Sequence, residues 1–331
     1  MFNTFEKICR LAQLGASYKL KMLKPMGPPY QFSIEATNKC NFKCSFCPQS
    51  SPTHKDMRSV GNLSLDHFQL FIKKIKKVKY GNSNVSICLD GEPLMNKSFS
   101  KFIKIANDEG LFPRFSSNGK LLTQSIVNEL SGFNFLVAID FSSEPEVFDK
   151  VRGNAGDYRI VFDNLRYLVD KASHNPHIKI EIVDITHFSE AFDKAKSLKK
   201  IRNLFPLNLP SNIKFWSRQF HNFGGYLQNE EIVDRLHNYK LCPYPWTSFN
   251  VTWDGNVVAC CRDTEGKTIL GNVFEQSIMD IWKGEKYNKL RKSLIEKRVK
   301  DVVACEKCDM PFSASSERWK MKYVLSSLLR R

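Results

Sequence analysis

The sequence predicts an α/β protein: a partial (β/α)6 barrel followed by a small C-terminal α+β domain. Three observations predict it. From residue 31 short β-prone runs alternate with longer helical patterns, as parallel strands joined by helical crossovers do. Six such units are present rather than the eight of a closed (β/α) barrel, so an open wall with room for a large ligand is expected. After about residue 220 the rhythm gives way to a turn-rich segment that carries Cys242, Cys260, Cys261, Cys305 and Cys308.

The elements follow in order. Residues 2–24 read as a basic amphipathic helix, expected to cap the barrel, and Pro25, Gly27, Pro28 and Pro29 break it. Strands are expected at 32–36, 84–89, 113–116, 135–141, 178–185 and 213–217. Helices are expected near 65–79, 98–109, 123–131, 158–172 and 188–204. In the first of these, Phe68, Phe71, Ile72, Ile75 and Val78 fall at helical spacing, and the intervening lysines form its wet face. In the second, Phe99, Phe102, Ile103 and Ala106 share one face. A further helix at 229–239 precedes a hairpin turned at Asp254 and Gly255. The tail, 276–331, reads as mainly helical. The domains are therefore a basic helix and linker at 1–30, the partial barrel at 31–225 and the C-terminal domain at 226–331.

Charge and composition narrow the function. The 331 residues include 50 Lys and Arg against 34 Asp and Glu, a formal charge of +16. The excess is spread along the chain without an Arg-rich block, so a diffuse basic surface is expected and a nucleic-acid partner is not. An acidic or phosphorylated substrate suits the field. The longest uncharged run, 241–253, is interrupted by Pro243 and Pro245 and is too short to span a bilayer. Glu6, Lys7 and Arg10 stand where a signal peptide needs apolar residues, so a cytoplasmic location is expected. There the ten cysteines read as metal ligands or reactive thiols rather than disulfides.

The strongest signal is C-x3-C-x2-C at Cys40, Cys44 and Cys47, just after the first expected strand. Zinc sites usually assemble four ligands. Three thiolates on one tight loop leave a metal centre one ligand short. A four-iron cube has that property, with three irons anchored and the fourth open to a small molecule. A zinc knuckle is the alternative from spacing alone.

With Phe46 before the third cysteine, this loop resembles the signature of the radical S-adenosylmethionine (radical SAM) enzymes. The resemblance implies a [4Fe–4S] cluster whose open iron chelates SAM, and an electron that cleaves SAM to methionine and a 5′-deoxyadenosyl radical. That radical takes a hydrogen atom from substrate. Gly91, Glu92 and Pro93 are similar to the family's Gly-Gly-Glu-Pro motif, which holds the SAM ammonium; Asp90 replaces its first glycine. Ser117, Asn118 and Gly119 resemble a turn near the nucleoside. Asp140, with Arg152 and Gly153, resembles a further pattern in which Ala138 stands where many members carry Ser. The resemblance thus implies Phe46, Gly91, Glu92, Pro93, Asn118, Asp140 and Arg152 as cofactor-binding residues.

In the C-terminal part Cys242, Cys260, Cys305 and Cys308 could close on one metal centre, zinc or iron–sulfur. Cys-x12-Gly255-x4-Cys, followed by Cys-x2-Cys, resembles the radical SAM extension called SPASM, or its shortened twitch form. Gly271, Asn272, Val273, Ile281 and Trp282 are similar to its connecting hairpin and helix. No cysteine follows Cys308, so the resemblance implies one auxiliary [4Fe–4S] cluster and two clusters in all. Cys261 is spare: a small buried hydrophobe, or a hydrogen-atom donor to a substrate radical.

The expected function is therefore a radical SAM oxidoreductase or epimerase acting on a carbohydrate- or aminocyclitol-like small molecule. The 30 residues before the first strand are too few for a leader-binding domain, which makes modification of a ribosomal peptide the second reading. A zinc or iron–sulfur binding module with RNA affinity is the non-enzyme reading. The resemblance implies a low-potential electron donor such as flavodoxin or ferredoxin. Glu35, Asp184, Ser217 and Arg218 lie near expected strand ends and could touch substrate.

Overall fold

A computed structural model of the chain describes residues 4–78, 84–153, 156–186, 193–217, 221–227 and 239–312. The helix expected at 229–239, all but its last residue, lies outside them, as do Arg218, the start of the helix expected at 188–204 and the tail beyond 312. The described chain forms two compact units. One comprises residues 1–34, 66–83 and 221–331; the other comprises 35–65 and 84–220.

In the first unit, helix α1 (Thr4–Lys19) leads to strand β1 (Gln31–Ile34), and helix α2 (Leu65–Lys77) contributes all but its first residue. In the second unit, β2 (Asn84–Ser86), α3 (Phe99–Asp108), β3 (Phe112–Ser117), α4 (Gln124–Leu130) and β4 (Phe135–Phe141) follow in turn. Helices α5 (Pro145–Arg152) and α6 (Asp157–Ser173), strand β5 (Ile178–Asp184), helix α7 (Lys194–Asn203) and strand β6 (Ile213–Ser217) complete it. The strands lie in the order β6-β5-β4-β3-β2, every pair parallel. Helical crossovers make parallel neighbours of consecutive strands, as the alternation predicts. In β4 and β5 alternate residues turn to the core, with Val137, Ile139, Phe141, Ile180 and Ile182 fully buried.

Helix α3 buries the stripe Phe99, Phe102, Ile103 and Ala106. Each such aliphatic or aromatic side chain stabilises by about 1.5–3 kcal/mol on full burial. The Thr123 hydroxyl accepts from Ile126 N to start α4, and the Asp193 carboxylate accepts from Ala195 N and Lys196 N to start α7. The sequence reading contained no helix at α5. Pro145 starts it, and Gly153 ends it in the left-handed conformation.

The first unit continues with the short helix α8 (Tyr244–Thr247) and strands β7 (Ser248–Val251), β8 (Asn256–Val258) and β9 (Ile269–Asn272). Helices α9 (Ile278–Trp282) and α10 (Glu285–Ile295) follow. β1 pairs parallel with β7, and β7-β8-β9 is an antiparallel meander turned at Asp254 and Gly255 as expected. Its core is aromatic: Phe32, Phe71, Phe249, Trp246, Trp282 and Tyr287 are fully buried. Arg291 is buried among them, 4.4 Å from the Trp282 ring, and donates to the carbonyls of Leu23, Pro245 and Trp282. The N-terminal helix is part of this unit: the Tyr18 hydroxyl donates to Leu241 O, and the Trp246 indole donates to Met22 O. Among its described residues, the expected helical tail is helical in α9 and α10 and not beyond. Residues 299–312 form loops with 3-10 turns at Val299–Asp301 and Met310–Phe312.

Candidate functional site

The three-cysteine loop belongs to the second unit, where residues after the strand ends hold it. Its approach is pinned by side chains. Thr37 Oγ1 donates to Gly61 O at 2.6 Å, and Asn38 Nδ2 donates to Ser59 O at 2.9 Å. Glu92 N donates to Lys39 O at 2.7 Å. Gly91 packs against this stretch at φ +68°; a Cβ there would lie 2.5 Å from Thr37 O and 2.6 Å from Lys39 O. Gly153, at φ +73°, comes as close to the loop itself: its Cβ would lie 2.1 Å from Lys43 O. Ser45 N donates to Val151 O at 2.9 Å. The loop is therefore gripped from the end of β2 and from the end of α5.

The sequence-assigned residues meet around it. Glu92 is buried, with Oε1 accepting from the Ser117 hydroxyl at 2.9 Å and Oε2 accepting from Asn118 N at 2.7 Å. Leu94 N also donates to it. These bonds oppose a larger burial effect, and the Glu92 carboxyl stays above its ordinary range. Asn118 Nδ2 donates to Asn41 Oδ1 at 2.7 Å inside the loop. Pro93 opens the 3-10 turn that Glu92 caps, and Phe46 is buried.

Arg152 is buried, donates to Cys44 Sγ at 3.4 Å and to Asp140 O at 3.0 Å, and lies 5.5 Å from the centre of the Phe42 ring. Asp140 Oδ2 is 3.9 Å away. Burial disfavours the guanidinium charge, but Cys44 and Asp140 more than offset it and raise its pKa. Its Nε is buried and has no hydrogen-bond partner among the described residues. A buried donor of that kind calls for a ligand or water to complete it.

Asp90, the departure from the family motif, has its own partners. His54 Nε2 is 2.8 Å from Asp90 Oδ2, and Arg58 Nη2 is 3.3 Å from it. Arg58 also makes a two-pronged pair with buried Glu35, at 2.7 and 2.5 Å. Glu35 is thereby committed to an ion pair. Asp184 is likewise buried, accepting from the hydroxyls of Ser197 and Ser217.

A second cysteine group forms in the first unit. Burial raises Cys260 well above an ordinary thiol, and Cys261, Cys305, Cys308 and Cys242 add to it through space. Burial raises Cys305 in the same way, with Cys242 and Cys308 adding to it. Cys242 is pushed up to about 12, chiefly by burial. Cys261 is exposed as a residue, and its thiol hydrogen-bonds the Tyr244 hydroxyl. Cys9 and Cys88 enter neither group.

Both groups fit iron–sulfur ligation. In the three-cysteine loop, burial pushes Cys40 up to about 12, and burial with Asp90 raises Cys47. Such thiols become thiolates when a metal core supplies the positive charge. Among the described residues no three His, Cys, Asp or Glu side chains converge as one bound ion would require. The free Nε of Arg152 and the buried donors beside it suit an anionic group of a cofactor seated at the loop.

Comparison with known proteins agrees. The Radical SAM superfamily model matches residues 34–195, and SPASM, an iron-sulfur cluster-binding domain, matches 242–309. The chain belongs to the radical SAM superfamily. It is 22% identical over 294 residues to the S-adenosyl-L-methionine-dependent 2-deoxy-scyllo-inosamine dehydrogenase of Niallia circulans, covering 88% of this chain and 96% of that one. The structure of BtrN in complex with AdoMet and 2-DOIA shares the fold at TM-score 0.56 and 20% identity, covering 85% of this chain and 93% of BtrN. Streptococcus suis SuiB bound to precursor peptide SuiA does so at TM-score 0.54 and 18% identity, covering 84% of this chain and 70% of SuiB. The α/β fold with its C-terminal extension is the predicted one, and the chain is a radical SAM enzyme that uses SAM and iron–sulfur clusters. The non-enzyme module is set aside. No helix among the described residues is long and apolar enough to cross a membrane.

When bound, the cluster and SAM supply a 5′-deoxyadenosyl radical able to take a hydrogen atom from carbon. This chain's residues hold the loop in place and bury Phe42, Cys44 and Phe46 within it. Sequence reasoning missed His54 and Arg58, whose only signal is that they lie shortly after the cysteines, and it missed Arg262.

Proposed function

We propose that the enzyme oxidises or epimerises a hydroxyl-bearing carbon of an aminocyclitol- or carbohydrate-like molecule. The observation that carries this is the match to the Niallia circulans dehydrogenase along nearly the whole of both chains. In this reading Cys40, Cys44 and Cys47 hold the SAM-binding cluster. Phe46, Gly91, Glu92, Pro93, Asn118, Asp140 and Arg152 form the SAM pocket around it. Cys242, Cys260, Cys305 and Cys308 hold one auxiliary cluster. As a dehydrogenase, the enzyme removes one hydrogen atom from the carbinol carbon, then a proton to a base and an electron to the auxiliary centre, leaving a ketone. As an epimerase, it returns a hydrogen atom to the other face, with Cys261 as donor, and the resulting thiyl radical is restored to the thiol by one electron from the auxiliary centre and one proton from solvent. A low-potential flavodoxin or ferredoxin supplies the priming electron.

The test is anaerobic incubation of reconstituted enzyme with SAM, reductant and a panel of aminocyclitols in heavy water. A ketone formed one-for-one with 5′-deoxyadenosine marks the dehydrogenase. Solvent deuterium at the altered carbon, lost in Cys261→Ala, marks the epimerase. A panel that yields neither removes the small-molecule reading. Modification of a peptide is the second reading, favoured by the shared fold with SuiB bound to its precursor peptide. It predicts mass-shifted peptide in the same assay.

A further inference from the structure

The bend after β8 carries Cys260, Cys261 and Arg262, and Arg262 acts on two of the sulfurs in the C-terminal group. Its backbone N–H donates to Cys260 Sγ across 3.4 Å. Its guanidinium is paired with Asp309, the residue that follows Cys308, and its charge acts on the Cys308 sulfur through space. The pair joins Nη1 to Oδ1 at 2.9 Å, with both side chains largely buried. Asp309 is fixed in turn: its Oδ2 accepts from Asn222 N at 3.0 Å, and its own N donates to Asn222 Oδ1 at 3.1 Å. The cation is therefore pinned by a carboxylate on the residue that follows Cys308.

An ion pair with Asp309 alone would tie the two loops together. It would not need a backbone N–H aimed at the Cys260 sulfur and a buried cation next to Cys308. Iron–sulfur potentials are set by net charge, hydrogen bonds to the sulfurs and solvent exposure. Reduction adds one negative charge to a core already ringed by thiolates. N–H donors and a fixed cation stabilise that added charge.

We propose that Arg262 is a positioning and charge-tuning residue of the C-terminal centre, raising its reduction potential through its backbone N–H to Cys260 and its fixed charge beside Cys308. This rests on the reading of Cys242, Cys260, Cys305 and Cys308 as ligands of an auxiliary cluster. The couple is a single electron entering the core, with no bond or proton exchanged at Arg262. In a titration the electron comes from the chemical reductant; in turnover as a dehydrogenase it comes from the substrate radical.

The experiment uses full-length chain with Cys40, Cys44 and Cys47 all changed to Ala, so that one centre remains. It is reconstituted anaerobically, counted for iron and titrated under electron paramagnetic resonance. About four irons per chain are expected. Arg262→Gln in this background should lower the oxidised-to-reduced balance point by at least about threefold, about 28 mV more negative for one electron. Arg262→Lys, which keeps the charge and the backbone N–H, should recover at least half of that shift. A Gln variant that retains its iron with a smaller or opposite shift overturns the role of Arg262. Should the Gln variant hold no iron, Asp309→Asn decides. Removing the counter-charge should move the potential at least as far in the positive direction, and no such movement overturns the proposal. A Cys-to-Ala background that binds no iron–sulfur core fails earlier and differently: it removes the auxiliary-cluster reading itself, and the proposal with it.

Discussion

Arg152 Nη1 lies 3.4 Å from the sulfur of Cys44, joining the last turn of α5 to the middle of the three-cysteine loop. Asp140 and the Phe42 ring hold the guanidinium from its other sides, and its Nε remains available. The arrangement places a fixed cation where an anionic cofactor group would dock. Replacing it by Gln removes that charge while keeping a polar side chain. A hydrogen bond to a charged group contributes about 1.5–3 kcal/mol, so SAM should bind Arg152→Gln about tenfold to a hundredfold more weakly. Equilibrium binding of SAM to the reconstituted variant checks it, and affinity equal to that of the parent would refute it.

Asp90 is the position at which the sequence leaves the family motif, and the structure gives it three polar companions: His54, Arg58 and, through Arg58, Glu35. Removing one member of a buried ionic set leaves the others uncompensated, at a cost of about 3–5 kcal/mol. Asp90→Ala should lose stability on that scale in urea unfolding. With Arg58→Ala, a double-mutant cycle should give a coupling of about 1 kcal/mol or more. Strict additivity would mean the three groups do not act together.

Gly91 admits no side chain. A Cβ would meet two carbonyl oxygens at 2.5 and 2.6 Å in a conformation that L-residues rarely adopt. Gly91→Ala must displace the 37–39 backbone that leads into Cys40. The expected result is a loss of about 2 kcal/mol or more and a fall in iron retained by the three-cysteine loop. Gly110 has nothing within 4 Å of the same added atom, so Gly110→Ala serves as the control for side-chain bulk. Iron analysis and thermal unfolding of the two variants separate the outcomes.

Asp263 gives the pH prediction. Burial pushes its carboxyl from 3.8 up to about 6, although Ala259, Lys267 and Thr268 all donate backbone N–H groups to it. The folded chain holds this proton more tightly than the unfolded chain. The associated stability is therefore complete below about pH 4 and is lost as pH rises through about 6. Asp263→Asn cannot ionise. The stability difference, parent minus variant, should fall between about pH 5 and pH 6 and flatten above about pH 7. Urea unfolding across that range tests it; a difference that rises with pH would reverse the sign.

Much of this was legible in the residues. The short β-prone runs at 135–141 and 213–217 located β4 and β6 to the residue, because each stands apart from the helical patterns on either side of it. The cysteine spacing, Gly91, Glu92 and Arg152 were legible as a set, since each lies at or beyond the end of a strand or helix. The first strand was expected at 32–36 but ends at Ile34. From there the chain turns away, with Thr37 bridging to Asn62 and Ala36 O accepting from Leu63 N. Helix α5 escaped notice because it is short and sits between two motifs that drew the reading. The pairing of Asp90 with His54 and Arg58, and of Arg262 with Asp309, joins residues more than 30 apart in sequence. No local pattern encodes such a contact.

The claim on which the account depends is that the loop of Cys40, Cys44 and Cys47 carries the SAM-cleaving cluster while Cys242, Cys260, Cys305 and Cys308 carry a separate one. Iron content and 5′-deoxyadenosine formation, measured together on anaerobically reconstituted protein, test it most directly. The parent should hold about eight irons and cleave SAM when reduced, and the chain with Cys40, Cys44 and Cys47 replaced by Ala should hold about four and form no 5′-deoxyadenosine. A replaced chain that still cleaves SAM, or a parent that binds zinc in place of iron and leaves SAM intact, would contradict the account.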